Sequence, residues 1–462
     1  MAEIEAENLR PAIGAALDGL RWKSIHTRIT LVLGIGWMLD AFEVTIIGNV
    51  LGVLQKLWDV TGAQASLMVS VWLIGIMVGA VLFGYLADRF GRRKLFMITL
   101  LLYSGFTLLS ALSPGYTAFL IFRFLTAIGV GAEYSAINAA IGELIPARYR
   151  GRAAAAVMNF WPLGSILAGF VTLYFINLLP PTIGWRLAFG FGAVMAVFTI
   201  WVRRTLPESP RWLAAMGRQE DAASIAAQIN ADGHAFEGIS GRTQINRGLA
   251  ASFIDQSWRL IRKHPGRLAL GCALDFAEAA GYYGLFALLP LVILPHIGVT
   301  DQQVPMFFII GNVGAAVGGV LAAIALDVFG RKVTVVAFYT LASLSILYLG
   351  KAATTGVFSG VLIAFVIANL CATGGWIAAY ATFSEVFPTP VRATGIGFSV
   401  AFGRIGAAVA PPLLVTVAQS VSITAAIAVT AAFWLLGAIA MIPWAIRGLE
   451  GKGMTLEALA RE

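Results

Sequence analysis

A stretch of twenty residues, GIMVGAVLFGYLADRFGRRK from Gly75 to Lys94, occurs a second time in degraded form as GAAVGGVLAAIALDVFGRK from Gly314 to Lys332. At one constant offset Gly75 matches Gly314, Gly79 matches Gly318, Asp88 matches Asp327, Gly91 matches Gly330 and Arg92 matches Arg331. In each copy two glycines one helical turn apart thin an apolar helix, so that a neighbour can approach closely. The helix then breaks at a short Asp-x-x-Gly-Arg loop, which has no place in lipid because its free backbone groups would go unsatisfied there. The pattern predicts a membrane hairpin used twice.

The rest of the chain agrees with a membrane reading. Hydrophobic residues make up 59% and charged residues 12%, against roughly 45–50% and 25% in soluble globular chains. The apolar residues fall in runs of about twenty, the length that crosses about 30 Å of hydrocarbon. Spans are expected near 28–54, 64–87, 95–112, 116–142, 153–178 and 186–204, and again near 267–294, 303–326, 333–350, 356–384, 393–418 and 421–447. The fold class is therefore an all-α integral membrane protein of about twelve spans in two six-helix bundles. Its expected units are an N-terminal arm at 1–27, bundles at 28–204 and 267–447, a hydrophilic linker at 205–266 and a tail at 448–462. Within the linker, Pro210–Met216, Glu220–Ile229 and Ile245–Lys263 read as short amphipathic helices. A cleaved signal peptide fits poorly, because the first span is too long for one and lacks a small-residue cleavage site.

Orientation is carried by the basic residues. Of 32 Lys and Arg, 27 fall on the side of both termini and the linker, three on the other side (Lys56, Arg186, Lys351) and two within spans (Arg123, Arg404). The positive-inside rule places the termini in the cytoplasm of a plasma membrane, the inner membrane of a bacterium. The net charge of +8 is then a topology signal and predicts no nucleic-acid partner. Two cysteines, Cys272 and Cys371, lie in apolar runs, and the four histidines lie in loops or at span ends, so no metal, cofactor or disulfide framework is expected. No nucleophile–base pair or phosphate loop indicates an enzyme.

Further echoes extend the duplication. Span 1 carries Asp40-Ala-Phe-Glu43 and span 7 carries Asp275-Phe-Ala-Glu278. Span 4 ends in Glu143-Leu-Ile-Pro146 followed by Arg150, and span 10 in Glu385-Val-Phe-Pro388 followed by Arg392. Two homologous halves of this kind, related by an axis along the membrane normal, are a transporter architecture with the cargo site near the midplane.

Five motifs in this order, GYLADRFGRRK at 84–94, RFLTAIGVG at 123–131, PESPRWL at 207–213, SEVFPTPVR at 384–392 and LEGKGMTLEAL at 449–459, resemble those of the major facilitator superfamily over nearly the whole chain. WMLDAFEVTIIG, GYYGLFALLP and GRIGAAVAPPL are most similar to the bacterial metabolite:proton symporters, a group that includes aromatic-acid carriers and is akin to the organic-ion and synaptic-vesicle branches. PESPRWL and the tail also resemble sugar porters. The glutamine pairs of sugar porters are missing, however, since span 5 reads MNFWPLGSILAG and span 7 reads LDFAEAAGYYGL.

Seven ionisable residues sit at membrane depth: Asp40, Glu43, Arg123, Glu133, Asp275, Glu278 and Arg404. Scattered against lipid at about 2.5–3.5 kcal/mol each they would cost roughly 20 kcal/mol, so they must face one another or water. The resemblance implies that Glu43, with Asp40 second, carries a proton and that Arg123 is its movable counter-charge; a static ion pair is the plain alternative. Glu133 lies about 15 Å from Arg123 along span 4, where it lines the pathway or anchors a neighbour. Arg404 offers a fixed fork of donors suited to a carboxylate. Its rival assignment is a salt bridge to a core acid such as Asp275 or Glu278, which themselves are cargo ligands or relics of the duplication. Trp161, Tyr282, Tyr283, Trp376 and Tyr380 are candidates to line a pocket for a planar or apolar body. Asp88, Arg92, Glu143, Arg150, Glu208, Asp327, Arg331, Glu385 and Arg392 fall at the linker-side helix ends, where in the resembling family charges latch the two halves.

The expectation is a secondary active transporter working by alternating access, a proton-coupled symporter of a small organic anion that acts as a monomer, with protons, a small-molecule substrate and membrane lipids as partners. A sugar symporter or uniporter, an organic-cation carrier and a non-transporting receptor on a carrier fold are the alternatives.

Overall fold

The computed structural model describes residues 17–90, 92–203, 206–215, 217–230, 253–387 and 392–448. All regular structure there is helical. The first half runs through α1 (Ser24–Leu57), α2 (Gly62–Phe90), α3 (Arg92–Ala111), α4 (Tyr116–Leu144), α5 (Arg150–Met158) continued by α6 (Phe160–Leu178), and α7 (Pro181–Arg203). Three short helices follow in the linker: α8 (Pro210–Ala215), α9 (Gln219–Ile229) and α10 (Phe253–Lys263). The second half comprises α11 (Pro265–Leu288), continued through a π-helical turn at Leu289–Ile293 into α12 (Leu294–His296), then α13 (Val304–Thr355), α14 (Phe358–Val386), α15 (Arg392–Ser420) and α16 (Ile423–Arg447). The expected helices of the linker are present within a residue or two, except that positions 245–252 lie outside the described residues.

One difference concerns the hairpin. In the second copy no open loop separates the two arms. Helix continues to Gly330, which alone leaves helical geometry (φ 79°, ψ −178°), and resumes at once as the second arm of α13. Glycine meets the left-handed φ without a Cβ clash, so a single residue turns the chain. The equivalent Gly91 lies outside the described residues.

The paired glycines act as the sequence predicts. A Cβ at Gly75 would meet the Phe124 carbonyl oxygen and one at Gly79 that of Ile128, both on α4. In the second half Gly314 meets the Val366 carbonyl and Gly318 that of Leu370, both on α14. The same two contacts, at the same spacing, are thus built twice. Close backbone approach of this sort is what holds helices together where lipid is as apolar as leucine. Polar side chains add to it: Thr45 of α1 donates to Ser165 of α6 at 2.8 Å, and Tyr339 of α13 donates to the Leu274 carbonyl of α11 at 3.0 Å.

The halves meet along α2 with α15 and along α6 with the first arm of α13. α1 and α11 are the most enclosed spans, while large apolar side chains on α3, α7 and α13, such as Leu101, Trp201 and Ile324, face outward as a lipid-facing belt. At the face opposite the linker the halves also touch end to end. Lys56 pairs with Asp301 at 2.7 Å, Asp301 lies against Gly52, and Phe286 lies against Gly48. These contacts join the two halves at that face.

Candidate functional site

All seven intramembrane ionisable side chains are buried inside the protein, none more than 8% exposed. They form two groups, one in each half.

In the first half, Arg123 of α4 donates through Nη1 to Glu43 Oε2 at 2.7 Å and through Nη2 to the Glu43 carbonyl at 3.3 Å. Neither side chain is exposed at all. The guanidinium also lies 5.1 Å from the Phe189 ring centroid and 5.6 Å from that of Trp72, so a cation otherwise costly in a dry interior is held by a carboxylate and two aromatic faces. The other carboxyl oxygen of Glu43 rests against Gly192 of α7, where a Cβ would stand 2.5 Å away. Asp40 sits one turn closer to the linker end of α1, fully buried. Glu133 is also fully buried, and with Asp40, Glu43 and Arg123 lies within electrostatic range of the phenol of Tyr103 on α3.

In the second half, Arg404 of α15 reaches the Tyr283 hydroxyl at 3.5 Å, with its guanidinium 5.9 Å from the Tyr283 ring centroid. Asp275 and Glu278 of α11 lie within electrostatic range of Arg404. The Asp275 carboxylate occupies the space a Cβ would fill at Gly403, the residue before Arg404. Tyr380 of α14 stands beside Asp275. A buried Asp-x-x-Glu pair and one buried guanidinium thus recur in both halves, although the arginine comes from α4 in one and α15 in the other.

Between the groups lies an aromatic wall. Trp161 of α6 and Trp376 of α14 approach with ring centroids 6.0 Å apart, and Trp376 continues to Tyr380 at 5.7 Å. Trp161 lies near the Tyr282 hydroxyl across the boundary between the halves, and Tyr282 packs edge-on against Tyr283 at 5.2 Å. All five aromatic residues singled out in the sequence therefore come together. Trp37 of α1 was not among them. Its ring lies 5.9 Å from Trp161 and parallel to Trp376 (interplanar angle 4°, centroids 6.3 Å apart), so it closes the wall from the first half. Its signal was available: Trp37 precedes Asp40 and Glu43 by three and six residues, on the same helical face.

At the linker face Arg150 is held by Asp18 of the N-terminal arm and donates to the Ile145 carbonyl at 3.0 Å, while Arg211 reaches the same Asp18 at 2.6 Å. Arg150 is thus engaged within its own half. Sequence reading missed Asp18 because it lies far along the chain from both arginines. Arg331 donates to the Leu326 carbonyl at 3.3 Å, Glu208 accepts from the Ser209 amide at 3.0 Å, Glu143 is half-buried and Asp327 is exposed. The side chains of Asp88, Arg92, Glu385 and Arg392 lie outside the described residues.

The family model for sugar (and other) transporters matches residues 41–462. The chain belongs to that family, within the major facilitator superfamily. It is a multi-pass secondary transporter of a small molecule, not an enzyme. Among curated members, the niacin transporter NiaP of Acinetobacter baylyi is 31% identical, over 87% of this chain and 89% of its own. The probable 4-methylmuconolactone transporter of Cupriavidus pinatubonensis is 27% identical, over 80% and 79%. Of solved structures, the inward-open xylose transporter XylE from E. coli superposes with a TM-score of 0.76 at 23% identity, over 94% of this chain and 99% of that one. The XylE likeness establishes the shared twelve-helix transporter fold.

Proposed function

We propose that this transporter carries a small, planar organic anion, an aromatic or heteroaromatic monocarboxylate, together with a proton by alternating access. The observation that carries the reading is Arg404, a buried guanidinium set beside Tyr283 at the foot of an aromatic wall formed by Trp37, Trp161 and Trp376. A guanidinium fork binds a carboxylate and indole faces bind a flat ring, so the two together suit a ring bearing one carboxylate. The relatives named for niacin and for 4-methylmuconolactone support that cargo class.

The Arg123–Glu43 pair supplies the proton step. A buried ion pair is stable as a pair, and protonation of Glu43 leaves Arg123 without its counter-charge. Movement of α4 relative to α1 then follows, which links the proton to rocking of the halves. The basic residues orient the linker face to the cytoplasm of the inner membrane, with both termini inside. In that orientation the Lys56–Asp301 and Phe286–Gly48 contacts seal the outer mouth. Import by a monomer, with the proton entering from outside, fits this arrangement. Asp40 and Glu133 then line the inner half of the proton's path, and the linker-side charges latch the inner mouth when it closes.

A sugar substrate is the second reading, and the XylE fold favours it. Against it stands the chemistry of the wall, where apolar indoles and an arginine come together, and spans 5 and 7 lack the glutamine pairs of sugar porters. The deciding experiment is uptake into proteoliposomes under an imposed pH gradient, with nicotinate, benzoate, xylose and tetraethylammonium offered separately. Accumulation of the carboxylates only when the outside is acidic is expected. Accumulation of xylose or the cation instead would refute the cargo assignment, and accumulation indifferent to the gradient would refute symport.

A further inference from the structure

Inside the first bundle the Thr107 hydroxyl lies beside the Glu43 carboxyl, and the Tyr103 hydroxyl has no hydrogen-bond partner. All three residues are completely buried. A buried hydroxyl like that of Tyr103 is rare in native proteins because it forgoes its hydration without replacement, and set beside a Thr–Glu contact it calls for a reason beyond packing. Phenylalanine at 103 and valine at 107 would fill the same space with no polar group to strand.

Their order is directional. α1 and α3 leave the linker face and α4 returns to it, so positions along the three helices can be compared. Thr107 lies beside the Glu43 carboxyl. Tyr103 is one turn nearer the linker face on the same side of α3, about 6 Å along the axis. Its backbone and Cβ press against Gly129 of α4. Glu133 lies one further turn toward the linker from Gly129. The phenol therefore stands between two buried carboxyls, Glu43 at mid-depth and Glu133 nearer the linker. The ionisable groups within range of it are Asp40 and Glu43 from α1 and Arg123 and Glu133 from α4.

We infer that Tyr103 is a proton relay, aided by Thr107, that passes the coupling proton from Glu43 toward Glu133 along the α3–α4 seam, apart from the cargo cavity. In the step itself the Glu43 O–H bond breaks as an O–H bond forms at the Tyr103 oxygen. The original phenolic proton leaves to the Glu133 carboxylate, and the phenol is neutral before and after. One proton moves, no electrons are exchanged, and rotation of the hydroxyl resets the relay. Asp40, on the same face of α1 one turn nearer the linker, biases the proton in the same direction. This inference rests on the proton-coupling reading but is indifferent to the cargo.

The test is Tyr103→Phe, which removes only the unpartnered hydroxyl, with Thr107→Val and Glu133→Gln as companions. Nicotinate is the probe, with xylose in its place if the wild type carries no nicotinate. Two rates are read from the same proteoliposomes: net uptake driven by a pH gradient, and counterflow at equal pH, which cycles loaded carrier without net proton transfer. For Tyr103→Phe, gradient-driven uptake is expected to fall at least tenfold while counterflow stays within twofold of wild type. Glu133→Gln is expected to show the same split and Thr107→Val a weaker one. Wild-type rates in both assays for Tyr103→Phe would overturn the relay, and so would parallel loss of both, which marks a structural role. A wild type that counterflows but ignores the gradient would instead remove proton coupling, and the relay with it.

Discussion

Arg123 and Glu43 are joined at 2.7 Å between α4 and α1, with no solvent on either side chain. The pair brings a guanidinium and a carboxylate together in the dry interior, and the two partners are not equivalent. Truncating one strands the other, at a cost of about 3–5 kcal/mol for a buried pair. Glu43→Gln keeps a hydrogen-bond acceptor for the guanidinium and is expected to fold, to lose gradient-driven accumulation and to keep counterflow. Glu43→Ala is expected to lower the apparent melting temperature in detergent markedly. Equal melting temperatures for the two variants would contradict the geometry.

Arg404→Lys retains the charge but replaces a planar fork with a point donor. Apparent affinity for nicotinate is expected to weaken by about tenfold or more, equal to about 1.4 kcal/mol, while thermal stability changes little. Unchanged affinity would remove Arg404 from the cargo site and leave it as a structural counter-ion for Asp275 and Glu278.

Gly403→Ala places a methyl group on the Asp275 carboxylate. Destabilisation by about 1–3 kcal/mol is expected from such overpacking. Combining it with Asp275→Ala should recover part of that loss, because the two residues share one space and their effects are then not additive. Strict additivity in a double-mutant cycle would show that they do not touch.

Trp37→Ala removes the wall that α1 contributes opposite Trp376. Affinity for ring-bearing carboxylates is expected to fall more than affinity for a short aliphatic one such as propionate. The comparison of nicotinate with propionate in competition assays measures it. A uniform loss across both would indicate that Trp37 supports the helix and not the ring.

Lys56–Asp301 closes the face opposite the linker from the rim. Lys56 is 72% exposed there, so the pair contributes less than about 1 kcal/mol and weakens with salt. Asp301→Asn is expected to raise labelling of a cysteine introduced at Thr45 from the outer face by a few-fold, an effect that shrinks in high salt. Labelling that is insensitive to both would assign the seal to Phe286 and Gly48 alone.

Much of this molecule is written in one dimension. Apolar run lengths set the twelve spans to within a few residues, since the hydrocarbon thickness admits few other lengths and every backbone group in it must be paired internally. The glycine pairs at 75/79 and 314/318 pointed to close helix contacts because only a missing side chain lets two backbones meet. Intramembrane charge marked Glu43, Arg123, Asp275, Glu278 and Arg404, because the cost of ionisable groups in lipid leaves them only the protein interior. Which of these residues meet was decided by packing across the chain. Arg123 and Glu43 are eighty residues apart, Asp18 reaches Arg150 and Arg211 from far along the sequence, and Trp37, Trp161 and Trp376 share one wall only once two bundles close on each other. The row of Glu43, Thr107 and Tyr103 was hidden for the same reason. A tyrosine or threonine in an apolar run reads as an ordinary helix residue, and whether its hydroxyl has a partner depends on the helices that arrive from elsewhere.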